Sequence, residues 1–319
     1  MDLDAAMDFY TRQLEFRLDM IMPADAPRVA ALSGYGITLR LERVEASGLA
    51  NAPVPGPDGS GDPGSIRIHR ASSADAWGAG RAGMHYRDLV PGRMDGRFIA
   101  SHIRIPDGGP VADYVHYHRV DFQMIFCRRG WVRVVYEDQG PPFTMQSGDC
   151  VLQPPTIRHR VLEASPGLEV IEVGSPAEHE TWRDHELSLP TPGVHPERIF
   201  GGQRFVRHVA ADACWSSFYE GGWKSVDTVI AAATGGRGGI RVLRSTQVRG
   251  TPAPDPMLAH DRMRFLFVLS GRLCLQAPGP VLHMLETDDA CLVPATVEHA
   301  LEAVTPCEIL EVWMPAHRS

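Results

Sequence analysis

Much of this chain is written twice, and that constrains its fold more than any other feature. RIHRASSADAW (67–77) is answered by RFVRHVAADACW (204–215), and GRFIASHIRI (96–105) by GGRGGIRVLR (235–244). FQMIFCRRGWVRV (122–134) returns as FLFVLSGRLCL (265–275). GDCVLQPPTIRHRVLEASPGLEVIEVGSPAEH (148–179) returns as DDACLVPATVEHALEAVTPCEILEVWMPAH (288–317), so the period is about 140 residues. Each copy consists of short alternating runs rich in β-branched residues, cut by Gly, Pro and Asp, and neither holds the pattern of a long amphipathic helix. The 31 glycines and 26 prolines suit many strands joined by turns. A sheet cannot bury an alternating pattern alone, so each copy is expected to close into a small antiparallel barrel or jelly roll. The fold class is therefore mostly β, with two tandem barrels at 65–185 and 199–319. The stretch 180–203 serves as connector.

Two zones precede the repeat. In residues 1–44, LDAAMDFYTRQLEF has helical spacing and VAALSGYGITLRLER alternates as strands do, which gives a small α/β stub. Residues 45–64, ASGLANAPVPGPDGSGDPGS, hold little to bury and read as a linker.

The residues that carry chemistry are His116, His118, Gln123 and His159. In a strand, positions i and i+2 share a face, so His116 and His118 project together. If that face lines the barrel, both imidazoles reach one cation at about 2.0–2.2 Å. His159 follows Gly148-Asp149 and the turn Pro154-Pro155-Thr156, on a strand returning to the same place. Three nitrogen donors so arranged leave positions open for water, substrate or O2.

With these spacings the chain resembles the cupin superfamily. The first cupin motif appears as Gly109, His116, His118, four residues, Gln123, six residues and Gly130. The second appears as Gly148, five residues, Pro154, Pro155, Thr156, two residues and His159. The resemblance covers about residues 65–319 and implies a tandem-cupin (bicupin) jelly roll with a divalent metal. Gln123 stands where the family usually has a carboxylate, and Thr156 where glycine is common. Gln123 is thus either a neutral fourth ligand or a group that holds a ligand or a bound water. Three-histidine cupins are often iron dioxygenases, which makes Fe(II) the favoured metal, with Mn, Ni or Zn as alternatives.

In the second copy Leu258 and His260 fall near the first two ligand positions, Arg264 at the Gln123 position and His299 at the His159 position. A fixed guanidinium makes a poor cation site, so that barrel is expected to be structural, or an anion pocket. Residues 1–44 resemble one half-module of the vicinal oxygen chelate (glyoxalase and bleomycin-resistance) fold, without its opening strand and first histidine. Glu42 falls at that family's glutamate position but stands alone. The stub reads as vestigial or as an oligomerisation element.

Arg104, Arg119, Arg133 and Arg158 alternate with apolar residues near the expected mouth, and Arg104 is the candidate to clamp a substrate carboxylate. Tyr117 reads as packing. His69, His85, His102, His179, His185 and His195 follow no ligand spacing and read as surface or loop residues. The six cysteines read as free, mostly buried thiols of a reducing compartment. A net charge of −8 argues against nucleic-acid or anionic-membrane partners. No apolar run reaches membrane length and the N-terminus lacks a basic leader, so the expected location is cytoplasmic.

The leading expectation is a metal-dependent enzyme, an Fe(II) dioxygenase acting with O2 on a small anionic aromatic or carbonyl substrate. The alternatives are an isomerase, decarboxylase or hydrolase using Mn, Ni or Zn, and a non-catalytic small-molecule binder. A homodimer is the expected assembly.

Overall fold

The computed structural model describes residues 2–43, 65–72, 77–80, 83–218, 223–245, 261–279 and 282–315. The linker at 45–64 and the second-copy positions Leu258 and His260 lie outside the described residues.

The alternating runs form two antiparallel barrels, as the repeat predicts. In the first barrel one sheet runs Phe143–Gln146, Trp131–Tyr136, His159–Ala164, His116–His118, Thr181–Arg183. The facing sheet contains Cys150–Leu152, Phe122–Arg129, Leu168–Ser175, Ile99–Ile105 and His85–Asp88. The second barrel repeats this plan. Trp223–Asp227, Gly239–Ser245, Cys307–Pro315, Arg262–Ser270 and Ala290–Val293 form its larger sheet, and Leu282–Glu286, Arg272–Gln276 and Ala300–Ala303 the smaller. The connector stretch 180–203 opens with a strand of the histidine-bearing sheet, Thr181–Arg183. Within the barrels the only helices among the described residues are short turns such as Arg93–Gly96 and Ile230–Ala233.

Turn chemistry repeats with the strands. Gly130 and Gly271 close equivalent hairpins at φ 76° and 82°. A Cβ at Gly130 would lie 2.2 Å from Ser165 Oγ, and one at Gly271 2.1 Å from the Pro306 carbonyl oxygen. Only glycine fits either place.

The barrels are interlocked. The strand Arg67–His69, from the head of the first copy, pairs with Ala290–Val293 of the second barrel. Val206–His208, from the head of the second copy, pairs with Cys150–Leu152 of the first. Two aspartates hold the exchanged strands in the same way. Asp149 accepts from Gln146 N and Ala210 N, both at 2.8–2.9 Å, and Asp289 from Glu286 N and Ala71 N at 2.9 and 2.7 Å. Between the barrels one apolar cluster runs from Phe98, Phe122, Met124 and Ile171 to Phe265, Phe267, Leu310 and Val312. Each barrel also has its own interior cluster.

The N-terminal segment is a helix, Leu3–Asp8, a π turn, Phe9–Gln13, and three strands, Arg17–Met22, Val29–Gly34 and Ile37–Glu42. Its first strand pairs with Thr181–Arg183, so the segment extends the sheet that carries the histidines. Glu42 is exposed and paired with Arg40 at 2.6 Å, and builds no site. Cys127, Cys150, Cys274, Cys291 and Cys307 are buried free thiols, and Cys214 is exposed. Burial pushes Cys127, Cys291 and Cys307 up to about 12, which keeps these thiols protonated at neutral pH. Among the described residues no helix is long and apolar enough to cross a membrane.

Candidate metal centre

Strand pairing brings the three histidines together. His116 and His118 sit two apart on one strand, His159 lies opposite His116, and Thr181 lies opposite His118. All three are buried, at 1%, 6% and 6% relative exposure. Their ligand nitrogens lie within 4.8 Å of one another.

The rings are oriented from behind. His116 Nδ1 donates to the Tyr114 carbonyl at 2.8 Å, with Asp113 Oδ1 at 3.6 Å, and His159 Nδ1 donates to the Ile157 carbonyl at 3.1 Å. His118 Nδ1 lies 3.0 Å from Thr181 Oγ1. The two carbonyl acceptors leave His116 and His159 with their Nε2 lone pairs toward the centre, the tautomer that a ligand needs, and the Thr181 hydroxyl can accept from His118 Nδ1 in the same sense.

A cavity of about 100 Å³ adjoins the cluster, room for several waters or one small ligand. Its walls are mostly apolar, from Ile103, Ile105, Val132, Val134, Val161 and Val170. The polar residues that line it are Asp25, Tyr86, Ser101, Gln123, Tyr136, Gln153, Glu172 and His179, besides the three histidines. Gln123 Nε2 donates to Glu172 Oε1 at 2.7 Å, while its buried Oε1 has no hydrogen-bond partner among the described residues. Gln153 Nε2 donates to His159 Nε2 at 2.9 Å. Burial, with Glu172 nearby, pushes the Tyr136 phenol well above its ordinary value, so it stays a hydrogen-bond donor.

These residues fit a divalent cation. Three imidazoles converge, two of them oriented by backbone carbonyls, and the Gln123 amide oxygen lacks the partner among the described residues that a buried acceptor normally has. His159 would exchange the Gln153 amide for the ion.

Several other expectations are corrected. Ile103 and Ile105 face the cavity, which turns Arg104 to the opposite face, its guanidinium 4.4 Å from the Trp77 ring centroid. Arg104 therefore clamps no ligand in this cavity. Arg119 pairs with Glu180, Arg158 with Asp184 and over Tyr117, and Arg133 is exposed. No arginine or lysine lines the cavity among the described residues. His69, His102 and His179 are buried rather than superficial, and His179 packs edge-on to His118 with ring centroids 5.4 Å apart. His102 bridges Glu169 at 3.0 Å and Arg87 at 3.1 Å, and that hydrogen bond holds the Glu169 carboxyl below the usual carboxylate range.

Glu172, Gln153, Tyr136 and His179 had no motif to mark them. Glu172 did leave a trace: it alternates with Leu168 and Val170 on an inward face, where a carboxylate breaks the apolar pattern. Strand register also makes Glu311 its counterpart in the second copy.

The second barrel holds no such centre among the described residues. Arg264, at the Gln123 register position, donates from Nε to Glu311 Oε1 at 2.8 Å, and its Nη1 donates to His299 Nε2. His299 Nδ1 donates to the Val297 carbonyl at 2.9 Å, as His159 does to Ile157. Arg264 and Glu311 are each 3% exposed, and Arg241 approaches Glu311 Oε2 at 3.4 Å. Glu311 already neutralises the guanidinium, so this interior is a structural ion pair rather than an anion pocket.

Comparison with known proteins agrees with this architecture. A family model described as Cupin domain matches residues 248–313, within the second copy. No curated protein sequence matches the chain. Among solved structures, the chain is similar to HEPD of Streptomyces albus with 2-hydroxyethylphosphonate and Fe(II) bound, at 13% identity over 80% of this chain and 77% of that one, TM-score 0.57. It is similar to a variant of salicylate 1,2-dioxygenase from Pseudoaminobacter salicylatoxidans, at 14% identity over 69% and 70%, TM-score 0.51. It is also similar to the oxalate decarboxylase of Bacillus subtilis, a protein described with Mn(II) centres, at 13% identity over 74% of each chain, TM-score 0.50. These likenesses establish the fold: tandem cupin jelly-roll barrels.

Proposed function

We propose that the first barrel is the catalytic centre of a metal-dependent enzyme, an Fe(II) dioxygenase acting on a small aromatic or carbonyl compound. The observation that carries this reading is the convergence of His116, His118 and His159, each Nδ1 engaged from behind, at the wall of a mostly apolar cavity. His116, His118 and His159 would hold the ion, with Gln123 Oε1 as a fourth donor or as acceptor for a bound water. An iron bound there supplies Lewis acidity and a path for electrons to O2.

The chain's own residues do the rest. The aliphatic walls exclude water and present a flat ring or acyl group to the histidines. Tyr136 keeps its proton and offers a hydrogen bond. Glu172, steadied by the Gln123 amide, is the carboxylate placed to accept a proton from a substrate hydroxyl or carbon acid. With no guanidinium in the wall among the described residues, a substrate anion would be bound at the ion itself, which limits the anionic part of the substrate to one chelating group.

A second reading, Mn-, Ni- or Zn-dependent isomerisation, decarboxylation or hydrolysis, is favoured by the same Glu172, since proton transfer beside a Lewis acid needs no O2. A homodimer belongs to the proposal as well: Tyr35 and Ile37 at the N-terminal sheet edge are 75% and 53% exposed. Light scattering of the purified chain tests it.

Metal analysis followed by O2 uptake with catechols, diketones and thiols tests the function. Bound iron together with substrate-dependent O2 consumption supports the dioxygenase. Bound Mn, Ni or Zn without O2 consumption moves the assignment to the second reading. Ligand binding to a metal-free chain, without turnover, contradicts both and leaves a binding protein.

A further inference from the structure

The N-terminal strands, for which the sequence suggests no part in chemistry, bring a turn to the mouth of the cavity. The register of the first barrel defines the two ends of the cavity. Ile105 pairs with Leu168 at one end, and Ile99 and Gln123 both pair with Gly174 at the other. At the Gly174 end lies His179, whose Cε1 is 3.8 Å from where a Gly174 Cβ would sit. At the same end the Ala177 N–H bonds to the Gly96 carbonyl at 2.8 Å, which ties the 176–180 turn to the helical turn Arg93–Gly96.

The turn between Arg17–Met22 and Val29–Gly34 lies across this end. Pro23, Ala24 and Asp25 line the cavity beside Ala177 and His179. Asp25 pairs with Arg93, which also bonds Asp88 at 3.1 Å, and Arg28 pairs with Glu178. The turn is thus latched on one side to Arg93 and on the other to the 176–180 turn. Its own base is closed by Arg28 N–H to the Met22 carbonyl at 2.8 Å. The strands on either side are firmly seated: Met20 and Ile21 pair with Trp182 and Thr181, and Ala30 and Leu32 are fully buried.

Polar latches over a rigid base differ from an apolar wall. The Arg28 and Glu178 side chains are 43% and 44% exposed, so water competes for that pair directly. Breaking both latches leaves the turn held by the seated strands, the buried Pro23 and the packing of Ala24 against the N-terminal apolar cluster, with the charged half of the turn released.

We propose that the 23–28 turn is the gate of the first barrel: it closes the mouth over the histidine cluster, and Pro23, Ala24 and Asp25 set the size of molecule that passes. This rests on the metal reading above. The segment that extends the metal-bearing sheet is then a specificity element, and it admits compact molecules in preference to bulky ones.

The test is the rate at which a chelator strips Fe(II) from the loaded full-length protein, followed by colour, with 2,2′-bipyridine as the small probe and bathophenanthroline disulfonate as the bulky one. Asp25→Ala and Arg93→Gln break one latch from opposite sides, and Arg28→Ala breaks the other. Circular dichroism and iron stoichiometry check that each variant is folded and loaded. The gate predicts that extraction by the bulky chelator rises about tenfold or more in Asp25→Ala and in Arg93→Gln, as expected when a charge-assisted hydrogen bond is lost from the closed state alone. It also predicts a smaller rise with bipyridine, and iron stoichiometry unchanged at equilibrium. A loaded protein whose extraction rates are the same in wild type and all three variants overturns the gate alone. A wild-type chain that holds no iron or other divalent metal overturns the gate together with the metal reading.

Discussion

The two barrels share strand order, turn chemistry and even the carbonyl that orients the third histidine, and one of the interior positions at which they part changes the charge of the interior. In the first barrel that position is Gln123, whose amide steadies Glu172 and leaves His159 Nε2 to a neutral Gln153. In the second it is Arg264, which satisfies Glu311 and takes the His299 lone pair with its own N–H. A buried carboxylate such as Glu311 needs a compensating cation. The second barrel carries one covalently, whereas in the first, on the reading proposed above, an ion from solution would take the place. The matched family model falls on the second barrel, so the fold's signature resides in turns and apolar alternation and survives without the ligands.

That contrast can be broken experimentally, and the largest effect is expected at Arg264. Arg264→Ala takes the guanidinium bonded at 2.8 Å from the buried Glu311, and should cost about 3–5 kcal/mol of stability in denaturant unfolding. Gln123→Ala removes a neutral partner and should cost about 1–2 kcal/mol. Equal losses would mean that Arg264 is not the internal cation described here.

The strand exchange predicts symmetry where the interiors predict difference. Asp149→Ala and Asp289→Ala each remove two backbone N–H bonds, one closing a local turn and one fastening an exchanged strand, so each should lose about 2–3 kcal/mol. Asp289→Ala should be slightly worse, because Arg70 Nη1 also bonds that carboxylate at 2.9 Å. A loss at one aspartate without the other would contradict a shared fastening role.

How much of this was legible in the sequence depends on distance along the chain. His116 and His118 are set by the two-residue strand period, and His159 by a turn of readable chemistry, so the cluster could be named from spacing. Arg104 could not be placed, because one residue of strand phase decides whether it or Ile103 faces inward. Glu172, Gln153, Tyr136 and His179 converge on the site from separate segments, through pairings that no local pattern encodes. The same holds for the exchanged strands Arg67–His69 and Val206–His208: three residues alternate in the same way whichever barrel they join.

A smaller effect sharpens the picture around His118. Thr181→Val keeps the shape but removes the oxygen 3.0 Å from His118 Nδ1, and should weaken metal affinity about 10–100-fold in competition titrations with little change in fold. Affinity equal to wild type would show that the hydroxyl does not orient the ring.

The central claim is that the ion belongs to one barrel only. Its most direct test is elemental analysis by mass spectrometry of the chain purified without a histidine tag, comparing wild type, His118→Ala and His299→Ala. The account predicts one divalent metal per chain in wild type and in His299→Ala, and none in His118→Ala. Metal absent from the reconstituted wild type, or lost equally from both variants, would contradict it.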